Sequence, residues 1–121
     1  MKTVAQRGAP RPGRPVRGSK TGRPIMALFD LLGRRWALRV VWELREGPLH
    51  FRALREACGG VSPTSLAARI AELREAGVVA GEGEGESAGY SLTEEGRALL
   101  DALGPLAEWA DGWSKRTAKR G

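Results

Sequence analysis

The spacing of apolar residues along the chain predicts five helices. Apolar positions recur every three or four residues over 25–32, 35–46, 51–57, 62–76 and from residue 93 onward. Gly33 and Gly77 end two of these stretches, since glycine favours the position just past a helix. Ser62 followed by Pro63 predicts the start of the fourth helix, because serine caps helix N-termini and proline is tolerated in the first turn.

After Gly77 the pattern changes from a helical period to short apolar runs. Val78-Val79 and Tyr90-Ser91-Leu92 predict two strands, and the Gly- and Glu-rich residues 81–89 between them predict a hairpin turn. Leu49-His50 follows a Gly-Pro turn, which permits a further brief strand. The order of these elements is that of a winged helix-turn-helix. The predicted fold class is therefore mainly α with a small β-hairpin wing.

The first 24 residues differ in composition from the rest of the chain. They contain seven lysines and arginines, no acidic residue and almost no large apolar side chains. Such a segment buries too little surface to offset the entropy of ordering, so we predict a disordered basic tail over 1–24. A folded domain over 25–114 and a short basic tail over 115–121 complete the prediction. The first tail either binds phosphates in general or lies along a DNA minor groove, and its Arg-Pro pairs leave both interpretations open.

The residue types argue against several classes of function. One cysteine, Cys58, allows neither an internal disulfide nor a CxxC-type metal site, and a single histidine with unpaired acids offers no catalytic group. No apolar run reaches the roughly 18 residues that a transmembrane helix needs, and no secretory signal is recognisable. We therefore expect a cytoplasmic protein with no membrane partner, no enzymatic activity, no metal and no cofactor.

The helix over 62–76 is the candidate recognition helix. Three apolar residues define its buried side: Leu66, Ile70 and Leu73. The helical period then predicts Thr64, Ala68 and Glu72 on the opposite side, with Ser65 on a flank. Because the N-terminal half of such a helix enters the major groove, Thr64 and Ser65 are the best candidates for contacts to base edges.

Basic residues near this helix are candidates for contacts to DNA. Arg69 fits either a phosphate or a guanine, or alternatively an ion pair with Glu72 or Glu75. Arg52 and Arg55 precede the helix and suit phosphate contacts. The full candidate DNA-binding set is Arg34, Arg35, Arg52, Arg55, Ser62, Pro63, Thr64, Ser65, Ala68 and Arg69.

The last predicted helix carries an apolar seam. Its residues are spaced by four, three, four and three positions, as in the a and d positions of a coiled coil: Leu99, Leu103, Leu106, Ala110 and Trp113. Pro105 should bend or split this helix. Packing within the domain and contact with a second copy both remain open, and we favour a homodimer. The candidate dimer interface adds three residues to the seam: Leu28, Trp42 and Trp109.

Short motifs along the chain occur in the order typical of the HxlR-type family of winged helix regulators, which the chain resembles from about Pro24 to Trp113. They are Leu31-Leu32-Gly33-Arg34-Arg35-Trp36, Gly60-Val61-Ser62-Pro63, Gly77-Val78-Val79 and Tyr90-Ser91-Leu92-Thr93. The resemblance implies a dimer that binds double-stranded operator DNA through the helix over 62–76 and regulates transcription. It also implies a response to a small-molecule effector or a redox signal.

Three features depart from that family's pattern. Arg23 stands where members often carry a cysteine, so thiol sensing by that route is not expected, and Cys58 is interpreted as a small residue filling a turn. Glu82, Glu84 and Glu86 bring negative charge to the hairpin tip, where it would repel DNA phosphates. The long basic N-terminal tail is not a family requirement. The alternative function is a winged helix that binds another protein, or a ligand-binding adaptor without specific DNA binding.

Overall fold

The computed structural model describes residues 8–15 and 22–120. Over these residues the chain forms five α-helices: α1 (Pro24–Leu32), α2 (Ala37–Glu43), α3 (Phe51–Ala57), α4 (Pro63–Glu75) and α5 (Glu94–Arg120). Three strands, β1 (Leu49–His50), β2 (Val79–Glu82) and β3 (Gly89–Leu92), form one antiparallel sheet in the order β1-β3-β2. The predicted fold class, mainly α with a β-hairpin wing, is confirmed.

The wing is the β2–β3 hairpin, and β1 ties it to the start of α3. Leu49 pairs with Tyr90 of β3, and Gly81 of β2 pairs with the same tyrosine from the other side. A Cβ atom at Gly81 would lie 2.9 Å from the Tyr90 ring, so only glycine fits beneath it. The backbone N–H of Phe51 donates to the Ala88 carbonyl at 3.0 Å. The helix-turn-helix and the wing are therefore joined by backbone hydrogen bonds.

Local signals set the ends of the two helices that flank the wing. Ser62 caps α4 by accepting a hydrogen bond from the Ser65 N–H at 3.1 Å, and Gly77 follows the helix with a left-handed φ of 82°. Thr93 caps α5 in the same way, because its hydroxyl accepts from the Gly96 N–H at 3.0 Å. These caps fix where the hairpin leaves α4 and returns to α5.

The core lies between α2, α3 and α4. Its fully buried side chains include Val40 on α2, Leu44 just past the end of α2, Leu54 on α3 and Leu66 on α4. Each such side chain contributes about 1.5–3 kcal/mol relative to leaving it in water. Trp42, on the second apolar face of α2, remains exposed. The core therefore fixes α4 against α2 and leaves apolar surface on the outside of α2.

Two helices differ from the sequence-based expectation. The second helix begins at Ala37 rather than near residue 35, because Trp36 has a left-handed φ of 77°. Such a conformation is costly for a bulky residue and interrupts the helical path. The last helix is not split by Pro105, which lies inside a continuous helix of 27 residues. That helix also includes residues 115–120, which the composition had assigned to a basic tail.

The segment 8–11, which we call the strap, packs against the domain although the composition predicts disorder there. Ala9 is buried, and its N–H donates to Oε1 of Glu75 at 3.0 Å. Nη2 of Arg11 lies 2.8 Å from Oε2 of the same carboxylate. The Ala9 N–H and the Arg11 guanidinium hold the pKa of Glu75 below its ordinary value. The rest of the predicted tail, residues 1–7 and 16–21, lies outside the described residues.

Two kinds of feature are missing from the part of the chain that the structure describes. No helix there is both long and apolar enough to cross a membrane. No three His, Cys, Asp or Glu side chains there lie close enough together to hold a metal ion.

Candidate nucleic-acid interface

The turn between α3 and α4 is fixed by one arginine and two glycines. Nε of Arg55 donates to the Val61 carbonyl at 2.7 Å, which bridges the turn. Gly59 and Gly60 both have a φ of 81°, a conformation that glycine adopts without strain. Cys58 is fully buried beneath them, and burial raises the pKa of its thiol. Arg55, a predicted DNA contact, therefore holds the helix-turn-helix geometry in the free protein.

The exposed face of α4 is rotated from the one that the helical period predicts. Thr64, Ala67, Ala71 and Arg74 are exposed along α4, and we call the three uncharged residues, Thr64, Ala67 and Ala71, the exposed face of α4. Ala68 and Ser65 are half-buried, and Glu72 is buried. The predicted position of Glu72 opposite the core is therefore wrong, because its side is covered by the segment that joins α1 to α2.

Two arginines on different elements pair with the buried Glu72 carboxylate, and we call these three residues the Glu72 cluster. Nη1 of Arg34 lies 2.9 Å from Oε2 of Glu72. Arg69 approaches with Nε 3.0 Å from Oε1 and Nη2 3.2 Å from Oε2. Nη1 of Arg69 also donates to the Arg35 carbonyl at 3.4 Å. The sequence offered Glu72 and Glu75 as partners for Arg69. The structure pairs Arg69 with Glu72, whereas Glu75 binds the strap.

The predicted basic contacts thus divide into two groups. Arg34, Arg55 and Arg69 have protein partners in the free molecule, as described above. Arg35 is exposed, with its guanidinium carbon 5.5 Å from the centroid of the Trp36 ring. The Arg52 side chain is 76% exposed and meets Glu56 only at 3.9 Å. Arg35 and Arg52 are therefore the predicted cations that remain available to a phosphate.

A surface cavity of about 290 Å³ lies at the N-terminal end of α4, beside Arg52. Phe51, Arg52, Arg55 and Pro63 line it. Ser62 and Pro63 are exposed at its edge, where α4 begins. The structure therefore brings together the predicted residues of the α3–α4 turn, while Arg34 and Arg69 lie with the Glu72 cluster on another side of α4.

Arg74 belongs to this surface, and the sequence-based prediction missed it. It is exposed on α4, and no hydrogen bond or ion pair is found between its side chain and another described residue. Its guanidinium carbon would lie 3.3 Å from a Cβ atom at Gly81, so it stands over the root of the wing. The only sequence signal was that Arg74 falls outside the buried period of α4. Nothing in the local pattern indicates that its neighbour is the wing.

The tip of the wing carries acidic side chains, as its sequence indicates. Glu82 and Glu84 are exposed on either side of Gly83. A short 3₁₀ turn, Gly85–Ser87, follows them and leads into β3. Two exposed carboxylates repel a polyanion, so this tip is poorly suited to contact phosphates.

Apolar side chains of α5 are exposed in a single chain. Leu106 is 55% exposed, Trp109 55% and Trp113 51%, and we call these three the apolar face of α5. The Trp109 and Trp113 rings stack with their centroids 5.6 Å apart. Of the other predicted dimer residues, Trp42 and Ala110 are exposed, Leu28 and Leu103 are half-buried, and Leu99 packs partly against the core. Two exposed residues of α1 were not predicted: Ile25 and Phe29.

Known proteins resemble this chain in both sequence and fold. The sequence model of the HxlR-like helix-turn-helix matches residues 31–118. The HTH-type transcriptional regulator YvaP of Bacillus subtilis is 34% identical over 87 residues, which cover 69% of this chain and 81% of YvaP. The crystal structure of quinone-bound YodB from Bacillus subtilis is similar, with 31% identity and a TM-score of 0.65 over 74% of this chain and 97% of that one. A MarR-family transcriptional regulator from Enterococcus faecalis V583 has a TM-score of 0.68 and 29% identity over 79% of this chain and 90% of that one.

Proposed function

The chain belongs to the HxlR-like helix-turn-helix family of DNA-binding transcriptional regulators, and from this premise we propose that it binds operator DNA as a homodimer with α4 in the major groove. The helix-turn-helix and wing provide the scaffold. The observation that carries the proposal is the exposed face of α4. We also propose that the domain has no enzymatic activity and acts in the cytoplasm.

Small side chains on the exposed face of α4 suit close approach to base pairs. Thr64 offers a hydroxyl group that can donate or accept, and Ala67 and Ala71 offer methyl groups that can contact thymine. None of the three is charged, so the face itself adds little affinity for phosphates. Such groups discriminate weakly one at a time. We infer that half-site spacing and DNA shape contribute much of the specificity.

Three exposed arginines surround this face and supply the contacts to phosphates in the proposal. Arg52, on α3, lies beside the N-terminal end of α4. Arg35 lies in the segment that joins α1 to α2, which we call the α1–α2 junction, and Arg74 lies at the root of the wing. Each cation that neutralises a phosphate releases counterions and makes binding weaker as salt rises. Basic residues of the N-terminal region outside the strap add affinity of the same kind.

Dimerisation is supported by the apolar surface on the outside of the domain. The apolar face of α5 and the exposed Trp42 would each lose contact with water against a second copy. Complete burial of one such side chain contributes about 1.5–3 kcal/mol, before the cost of association is subtracted. We propose that Leu28, Leu103 and Ala110 extend this interface, with Ile25 and Phe29 next to them on α1.

We propose that the effector is a small molecule that binds without forming a covalent bond to a cysteine thiol. The structure of YodB has been solved with a quinone bound, and this supports a small-molecule effector for the present chain. Cys58 is unsuited to covalent sensing, because it is fully buried and its thiol pKa is raised. A shift of the melting temperature on addition of a quinone tests this part of the proposal.

Selection of bound fragments from a random DNA pool by the full chain tests the proposed function. We expect enrichment of a two-fold symmetric sequence whose half-sites are separated by about one helical turn of roughly 10 base pairs, or a multiple of it. Ala67→Glu should abolish the enrichment, because it places a carboxylate on the exposed face of α4. The matched control is Ala98→Glu, the same change at an exposed position of α5. Failure of the wild-type chain to enrich any sequence would favour the protein-binding alternative.

A further inference from the structure

The Glu72 cluster joins three separate parts of the molecule. Glu72 and Arg69 lie on α4, whereas Arg34 lies in the segment between α1 and α2. The Arg35 carbonyl, in the same segment, accepts a hydrogen bond from Arg69. Nη1 of Arg34 also donates to the Gly8 carbonyl of the strap at 3.1 Å. One carboxylate therefore connects the recognition helix to the α1–α2 junction and, through Arg34, to the strap.

Burial makes this connection depend on the charge of Glu72. Its side chain is 11% exposed, and those of Arg34 and Arg69 are 20% and 21% exposed. A buried carboxylate is stable only with cations beside it. Arg34 also lies 3.8 Å from Asp30, whereas Glu72 is the only carboxylate found beside Arg69 among the described residues. The Nε–Oε1 contact is an ion-pair contact without hydrogen-bond alignment, so neither of these two atoms has a hydrogen-bond partner among the described residues. Arg69 is therefore held by the ion pair, by a hydrogen bond from Nη2 to the Glu72 carboxylate and by one from Nη1 to the Arg35 carbonyl.

We propose that Glu72 is a positioning residue for operator binding, which fixes α4 on the α1–α2 junction and keeps the Arg69 guanidinium away from DNA phosphates. The inference rests on the proposed function, because it takes α4 as the DNA-binding helix. A free arginine at position 69 would add affinity for any duplex, since phosphates are the same in every sequence. Held by Glu72, Arg69 adds none, and the uncharged exposed face of α4 decides between sequences.

Glu72→Gln tests the proposal, because it keeps the shape of the side chain and removes its charge. Affinities are measured for the selected operator and for a scrambled duplex of equal length over a range of salt concentrations. On scrambled DNA, the slope of log affinity against log salt should steepen by about 0.9 for each arginine that reaches a phosphate. The ratio of operator to scrambled affinity should fall by about tenfold, a size expected for a residue that orients a site without touching the ligand.

Asp101→Asn is the matched control for net charge. It makes the same change of one charge at an exposed position of α5, away from α4. The slope and the affinity ratio should stay at the wild-type values. A Glu72→Gln variant that behaves like Asp101→Asn would refute the proposal, because its arginines would then have been held by something other than the carboxylate charge.

Arg69→Gln provides a second test that does not unpair the buried carboxylate, since Arg34 remains 2.9 Å from Glu72. Operator affinity should fall as the helix loses one of its anchors, with the salt slope unchanged. Combined with Glu72→Gln, the same substitution should remove the steepening that Arg69 had caused. A slope lowered by about 0.9 in Arg69→Gln alone would overturn the proposal, because it would show a direct phosphate contact.

Different results would refute the proposed function and the role of Glu72. A wild-type chain with no preference between the selected and scrambled duplexes refutes the proposed function, and the role of Glu72 in operator binding with it. A wild-type chain that prefers its operator, with unchanged slope and ratio in Glu72→Gln, refutes only the role of Glu72. Thermal unfolding of each variant identifies any that has failed to fold, in which case Arg69→Gln decides.

Discussion

Gly96, in the first turn of α5, gives a stability prediction that runs against helix propensity. Replacing a glycine in a helix by alanine ordinarily stabilises it by about 0.5–1 kcal/mol. At Gly96, an added Cβ atom would overlap the Val78 carbonyl oxygen and lie 3.2 Å from Cδ2 of Leu92. The Val78 carbonyl has little freedom to move, because it accepts a hydrogen bond from the Thr93 N–H at 3.0 Å. Gly96→Ala therefore forces backbone apart at the joint between the wing and α5.

The magnitude follows from the cost of overpacking and the gain in helix propensity. Overpacking costs about 1–3 kcal/mol and more where backbone must shift. With the propensity gain subtracted, we expect a net loss of about 2 kcal/mol in the free energy of unfolding. For a domain of this size, that corresponds to a fall of about 10 °C in melting temperature. A stability loss of this kind requires no contact with DNA.

Gly112→Ala, in the same helix, is the matched control. Outside its own helix backbone, a Cβ atom at Gly112 would meet only the flexible end of the Arg116 side chain, with Nη1 3.0 Å away, so the ordinary gain of about 0.5–1 kcal/mol should appear. Thermal unfolding by circular dichroism and urea titration measure both variants, at one fixed protein concentration because association shifts the melting temperature. A Gly96→Ala variant as stable as the wild type, or melting temperatures that shift in the same direction in both variants, would contradict the predicted overlap at Gly96.

Four further measurements test other parts of the structure. Arg52→Ala should weaken binding to all duplexes alike and lower the salt slope by about 0.9, and an unchanged slope would exclude a phosphate contact. Leu103→Glu combined with Leu106→Glu should give monomers in sedimentation, whereas a folded dimer would contradict the seam. The lowered pKa of Glu75 means that its contacts with the strap persist at neutral pH and are lost as pH falls through that lowered value. The protection of the strap amides, measured as exchange relative to the intrinsic rate at each pH, should therefore fall only in acid. Cys58, with its raised pKa, should resist alkylation at neutral pH until urea unfolds the domain, and rapid labelling of the native protein would contradict its burial.

Features that depend on neighbouring residues could be predicted from the sequence. The candidate recognition helix was expected over 62–76 and is found at Pro63–Glu75, because its cap, its first-turn proline and the glycine beyond it are local signals. The wing followed in the same way from its short strands and glycine-rich turn. The DNA-binding residues themselves remain predictions, although the structure divides them into paired and available groups.

Features that depend on distant residues could not be predicted. Glu72 satisfies the pattern of an exposed position, and only the approach of Arg34 from another element explains its burial. The strap has the composition of a disordered tail, yet the Ala9 N–H meets a carboxylate 66 positions away. The helical period predicts which side of one helix is buried. It cannot show which other segment of the chain packs against the remaining sides of that helix. Arg74 was missed for the same reason.

The exposed face of α4 is separated from everything that keeps the domain folded. Thr64, Ala67 and Ala71 lie outside the core, and none of them belongs to the Glu72 cluster. Substitutions at such surface positions usually change stability by no more than about 0.5 kcal/mol. A single change, such as Ala67 to asparagine, would introduce a side chain able to read adenine without disturbing the scaffold. With the proposed function, descendants of this protein can therefore acquire new operators one substitution at a time, while the fold that presents the helix is inherited unchanged.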